Sequence, residues 1–326
     1  MPVRLSHSAR EMLNQCGEKY RLHYIERLRS PIMYSSLFFG NALDAGFSRI
    51  LLEKKKEKTE AELELLKKTE EEIFLENMLE FSHNSVRHSL PRNPLCDYYN
   101  GDYDEDLASK IALEVPEVAD PTKFMLECRA VIKAKQKLTE EDKQLYNYIS
   151  WLSLCEKGKL MLEAYRDRVL PQIYEVFAIQ KQVEIVNAQG DKITGAIDFI
   201  ASFTDNPTRK YICDNKSSSK AYKANAVLES DQLATYCEAE GMNYAAYVVV
   251  EKTIYKKHPK IHTQIIKSEV KEAQLQATFD KFEQAVYTVE EKRFDKNFDA
   301  CFSYGKLCPY FSLCKHGKIG NLIKNE

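Results

Sequence analysis

The stretch ITGAIDFIASFTDNPTRKYICDNKSSS, residues 193–219, decides the fold. Two apolar runs flank TDNPTR, and a connection that short joins antiparallel neighbours. Side chains alternate along a strand, so Ala196, Asp198 and Ile200 share one face of the first run. Ile212, Asp214 and Lys216 share one face of the second. Paired as a hairpin, the runs bring Asp198 beside Asp214 and Lys216. Two carboxylates held close repel each other unless a cation neutralises them. Lys216 offsets one of them, and an Mg²⁺ or Mn²⁺ ion would complete the site, because hard cations take oxygen ligands.

Such a site suits phosphodiester hydrolysis. The metal polarises a phosphoryl oxygen and lowers the pKa of a bound water, while the lysine can orient or activate that water and offset charge in the transition state. The backbone carbonyl of Asn215 is a further candidate ligand. A lone D-x-K at a strand end is usually a surface ion pair. Gly195 and Asp198, as G-x-x-D on the neighbouring strand, make the pattern more specific.

Outward from the hairpin, VFAIQKQVEIV (176–186) alternates apolar and polar residues and NAQGDK is a turn, which extends the hairpin to a three-stranded meander. A helix is expected from about Lys223 to Glu240, then strands at AAYVVVEKT and KIHTQIIK, then a helix over 268–293. Towards the N-terminus, Met12, Leu13, Cys16, Tyr20 and Tyr24 recur at helical spacing, which predicts a helix from about Ser6 to Arg29. A second helix is expected over FGNALDAGFSRILLEK. Charges of alternating sign from Lys54 to Glu72 read as a solvated helix face. Residues from about Ser82 to Asp106 read as irregular, and those from Ala108 to Val169 as helical. The expected fold class is α/β, a central mixed sheet flanked by helices, with a helical insertion. The expected divisions are N-terminal helices over 1–53, the insertion over 54–170, the core over 171–300 and a cysteine-rich segment over 301–326.

The 326 residues are 44% hydrophobic and 29% charged, with a net charge of −2, so no global basic field advertises nucleic acid. A local basic channel is compatible with that balance. No apolar run of membrane-spanning length and no signal-peptide core occur, which points to a cytoplasmic protein, in the host cytoplasm if the source is viral. Nine cysteines are an odd number for a disulfide framework. Most are scattered singly, as small core residues are. Cys301, Cys308 and Cys314 crowd together outside a secreted context, which suggests a metal with a fourth ligand elsewhere. Lys220 and Lys223 follow the DNK strand, and Lys252, Lys256, Lys257 and Lys260 surround Tyr255. These could meet phosphates and stack a base, or form an ordinary solvated edge.

GAIDFI followed by CDNKSS resembles the core of the PD-(D/E)XK nucleases, in particular the RecB-like branch with its restriction-endonuclease-like fold. That branch carries Q-x-x-x-Y on the next helix, and DQLATY places Gln232 and Tyr236 at that spacing, on one helix face. It also carries fG-x-x-x-H on an earlier helix, where this chain has FFGNALDAGF and Asp44 in place of the histidine. The resemblance implies a metal-dependent DNA nuclease, more an exonuclease than an endonuclease, working on DNA ends in recombination, repair or phage DNA processing. It implies Asp44, Asp198, Asp214 and Asn215 as Mg²⁺ or Mn²⁺ ligands, Lys216 as the water-positioning group, and Gln232 and Tyr236 as organisers of the site.

The iron–sulfur members of that branch, similar to AddB and the CRISPR-associated exonucleases, hold a 4Fe-4S cluster on one N-terminal and three C-terminal cysteines. LNQCGEKYRLHY supplies Cys16, with Gly17 at the proline position of the branch's C-P-x-x-Y signature. Cys16, Cys301, Cys308 and Cys314 are then the implied ligands. Zn²⁺ is an alternative to the cluster, and His316 an alternative to Cys16. No G-x-x-x-x-G-K-S/T stretch is present, so a motor would be a separate helicase or recombination partner. A structure-specific endonuclease, and a DNA-binding accessory protein with a weak site, are the rival readings.

Overall fold

A computed structural model describes residues 2–30, 35–84, 121–134, 138–253, 261–303, 306–320 and 322–324. The expected meander is present. Strands β3 (Ile173–Val186), β4 (Lys192–Phe203) and β5 (Asn206–Ser218) pair antiparallel in sequence. Strand β6 (Tyr244–Glu251) then runs parallel to β5, after a helix over Asp231–Glu240, and β7 (Thr263–Glu269) pairs antiparallel with β6. The result is a mixed α/β sheet, since a parallel neighbour requires a crossover connection.

Strand β1 (Arg4–Ser6) joins this sheet parallel to Lys192–Thr194 of β4. The helix expected from Ser6 to Arg29 is therefore corrected. It runs from His7 to Gln15, stops at extended Cys16, resumes over Gly17–Tyr20, and loosens into a π-turn over Arg21–Ile25. Strand β2 (Leu28–Arg29) follows and pairs with Ile323–Lys324 near the C-terminus. The helix expected from Lys223 begins later, at Asp231, because Ser230 caps it by accepting from the Leu233 amide at 3.1 Å.

Two apolar layers cover the sheet. On one face the helix Ser35–Leu51 buries Phe39, Leu43 and Phe47 against Phe199, Cys213 and Val248. Phe74 and Met78 of helix Glu70–Asn84, and Leu154 and Leu162 of helix Glu140–Ala164, belong to the same buried cluster. On the other face, Leu233, Tyr236 and Cys237 of helix Asp231–Glu240 pack on Ile200, Ile212 and Val249. Tyr211 and Cys213 serve the first layer and Ile212 the second, the period-two alternation of a strand buried on both sides. A third cluster joins Leu5, Leu13 and Ile193 to Phe282 and Val286 of the helix Glu272–Glu290.

Candidate active site

The site arises where two strands part. The β4–β5 ladder ends at the pair Phe199–Cys213, and towards its start β4 pairs with β1 instead. Asp198 and Asp214 are the next residues beyond that last pair. Beyond the fork the backbone N–H of Asn215 has no ladder acceptor on β4, and it donates to Asp198 Oδ2 at 2.7 Å. Asp214 is buried and meets Lys216 Nζ at 2.6 Å. Lys216 is also 3.5 Å from Gln232 Oε1, and Gln232 donates to the Tyr236 hydroxyl at 3.2 Å. The helices thus approach the fork from opposite faces, Ser35–Leu51 with Asp44 and Asp231–Glu240 with Gln232.

Three contacts from outside the motifs support this site. Gln180 on β3 donates to Asp44 Oδ2 at 2.6 Å. Tyr165, in a π-turn and fully buried, donates to Asn215 Oδ1 at 3.1 Å and stacks on Phe47. Buried Arg10 pairs with Asp231 at 2.8 Å, and Lys281 reaches the same carboxylate at 3.0 Å, so helices His7–Gln15 and Glu272–Glu290 steady the start of the Gln232 helix. None of these carries a local pattern; each depends on residues far away in sequence.

Gly195 has a reason beyond the motif. A Cβ there would stand 2.4 Å from Tyr236 Cε1, so the ring lies directly on the strand backbone. Gly195→Ala must move Tyr236, and overpacking of this kind costs about 1–3 kcal/mol. Denaturant unfolding should show that loss, and Gly195→Ala should also weaken DNA cleavage through the displaced Gln232.

Charge in the fork is unbalanced. Burial, then Asp214 and Asp44, push Asp198 up to about 8. Burial also raises Asp44 and Asp214, the latter opposed by Lys216. Burial disfavours the Lys216 ammonium, but Asp214 and Asp198 outweigh it and keep the group protonated. Three acids therefore share one ammonium, a shortage of positive charge that a divalent cation would correct. Asp44 Oδ1 is buried and short of a full hydrogen bond, and the Asn215 side chain, like Gln180, favours the ionised Asp44 carboxylate that a cation would take. Among the described residues, no group of three or more His, Cys, Asp or Glu closes into a metal cage by itself. The donor set, carboxylates with a backbone carbonyl, is the hard-oxygen set that Mg²⁺ and Mn²⁺ take. The sign of the pH effect follows. Asp198 contributes stability below its unfolded value of about 4, and that contribution is lost as pH rises through about 8. Thermal melts of metal-free protein should fall across that window, and Mg²⁺ should reverse the fall.

Lys220 and Lys223 are exposed in the turn after β5, and the Lys220 amide donates to Ser218 Oγ. Lys252 Nζ lies 5.4 Å from the Phe39 ring. Tyr255, Lys256, Lys257 and Lys260 lie outside the described residues.

The four cysteines singled out in the sequence line one pocket, with Leu22 and Phe311 also in its wall, but among the described residues they do not close into a metal-holding group. The break at Cys16 makes this possible. Gly17 sits so close to the Phe294–Asp295 backbone that a Cβ would lie 2.8 Å from it, and Glu18 N donates to Asp295 O at 3.2 Å. The Asn297 amide approaches Cys16 Sγ at 3.4 Å. The Cys308 and Cys314 thiols are raised, chiefly by burial. His316 is not in the pocket wall and packs edge-on to Phe311.

The family model of the PD-(D/E)XK nuclease superfamily matches residues 4–315. The chain belongs to this superfamily. Its sheet, flanked by helices, is the restriction-endonuclease-like arrangement of PD-(D/E)XK nucleases. Enzymes of the superfamily act on DNA and generally use Mg²⁺ or Mn²⁺. Among curated proteins none matches the chain. A solved structure titled "Crystal structure of SSO0001" is similar at 16% identity and a TM-score of 0.26, over 58% of this chain and 88% of that one. Among the described residues of this PD-(D/E)XK nuclease, no helix is long and apolar enough to cross a membrane.

Proposed function

We propose that this nuclease is an exodeoxyribonuclease of the RecB-like branch, acting on free or single-stranded DNA ends in recombination, repair or phage DNA processing. The observation that carries the nuclease chemistry is the fork itself, three crowded acids facing one lysine. Asp44, Asp198, Asp214 and the Asn215 carbonyl hold Mg²⁺ or Mn²⁺, which when bound polarises the scissile phosphate and acidifies water. Lys216 lies 2.6 Å from Asp214 at the mouth of the fork. It positions the attacking water and meets negative charge developing on the phosphoryl oxygens. Gln232 holds Lys216 from the helix side, and Tyr236 holds Gln232. Lys220, Lys223 and Tyr255 contact the DNA strand. Cys16, Cys301, Cys308 and Cys314 carry a 4Fe-4S cluster with a structural role, supported by their shared pocket. A separate helicase or recombination protein supplies the ends.

The test is cleavage of end-labelled linear and of circular DNA, single- and double-stranded, by anaerobically purified protein with Mg²⁺ or Mn²⁺. Mononucleotide or short products from linear DNA, with circles left intact, are expected. Cutting of circles would replace the exonuclease reading with a structure-specific endonuclease. Tight binding without cleavage would replace it with an accessory role.

A further inference from the structure

Gln180 stands on β3 between the pairs Ile179–Phe199 and Lys181–Ile197, and so directly across from Asp198. Its φ is +51°, in the left-handed region that non-glycine residues seldom adopt. In mid-strand such a conformation costs on the order of 1–3 kcal/mol and persists only where the surroundings impose it. Gln180 is exposed, so no demand of core packing accounts for it. What the turn achieves is a contact. The side-chain amide donates to Asp44 Oδ2 at 2.6 Å, while Asp44 Oδ1 is buried and short of a full hydrogen bond, with the Asn215 side chain beside the carboxylate. The donor type matters as well. A lysine here would neutralise Asp44 and compete with a metal ion. A carboxylate would add a fourth acid to Asp44, Asp198 and Asp214. A neutral amide fixes one oxygen and leaves the charge available.

We infer that Gln180 is a positioning residue that occupies Asp44 Oδ2 and thereby presents Oδ1 alone to the divalent cation. The inference rests on the metal-dependent reading above.

The experiment is Mn²⁺ binding to the full chain, by calorimetry and by the signal of free Mn²⁺ in electron paramagnetic resonance. Asp214→Ala controls for the site, and Gln180→Gly is the test. Glycine adopts a positive φ without steric cost, so the melting temperature should hold or rise while the donor is lost. Hydrogen-bond partners of metal ligands are typically worth 10–100-fold in affinity. Gln180→Gly should therefore bind Mn²⁺ about 10–100-fold more weakly. Gln180→Asn keeps an amide and tolerates the left-handed backbone, and should fall between it and wild type. Wild-type affinity in Gln180→Gly overturns the inference and leaves the metal site standing, provided Asp214→Ala has lost Mn²⁺. Weaker binding accompanied by a lower melting temperature in both Gln180 variants assigns the residue to the fold and also overturns it. No Mn²⁺ binding by the wild-type chain overturns the inference and the metal-dependent reading together.

Discussion

Lys216→Ala and Asp198→Asn each leave a folded chain whose cleavage of labelled linear DNA falls by about 10²–10³-fold or more, the loss expected when one preorganised charge is removed from a reacting centre. The two variants should differ in stability. Asp198 is a buried carboxyl pushed up to about 8 by burial and by two neighbouring acids, so its ionised form strains the metal-free fold. The amide that replaces this carboxyl is neutral at every pH, and its oxygen can still accept from the Asn215 N–H, the contact now made at 2.7 Å. Metal-free Asp198→Asn should gain about 0.5–2 kcal/mol, as removal of a functional liability commonly does. Lys216→Ala should lose stability, because it leaves buried Asp214 without its partner at 2.6 Å. Single-turnover cleavage and denaturant melts measure both quantities. Wild-type cleavage by Lys216→Ala would remove the fork from the chemistry altogether.

Cys308→Ser should abolish iron and sulfide incorporation and lower the melting temperature by about 10 °C, the shift for losing a few kcal/mol in a chain of this size. The pocket accounts for the size of the effect. Around it Tyr310 is buried, with its hydroxyl donating to Leu28 O at 2.9 Å and lying 2.7 Å from His23 Nδ1. Those contacts hold the C-terminal segment to the N-terminal π-turn, and a cluster on Cys16, Cys301, Cys308 and Cys314 would tie the same two segments. Cys128→Ser, at a buried thiol away from the pocket, is the comparison that should retain iron. Metal analysis and calorimetry on anaerobic protein decide the matter. Zinc in place of iron would exchange the cluster for a structural zinc site.

The hairpin that carries Asp198 and Asp214 was legible because strand alternation and a short turn are local signals. The Gln232 helix was legible for the same reason, although its start was not. Ser230 is fixed as the cap by tertiary structure as well, since the Tyr247 hydroxyl donates to its Oγ at 2.6 Å. Strand β1 has three residues and exists because Lys192–Thr194 of β4 offers an edge to it. Nothing within Arg4–Ser6 announces that partner. The break at Cys16 is likewise set from outside, by the Phe294–Asp295 backbone that Gly17 admits. Gln180 and Tyr165 reach the site through a backbone turn and a π-turn, neither of which leaves a periodic trace.

The closure of N-terminal Cys16 on the segment around Asn297 also governs how the molecule comes into being. A ribosome adds about 5–20 residues per second, so on the order of 15–60 s separate the emergence of Cys16 from that of Cys314. For much of that interval β1 waits for the edge of β4 and Arg10 for Asp231, and Cys16 waits to its end for the last of the three C-terminal cysteines. The nascent N-terminus is thus without its tertiary partners for most of synthesis, and this corner of the molecule is completed only when the segment around Asn297 arrives.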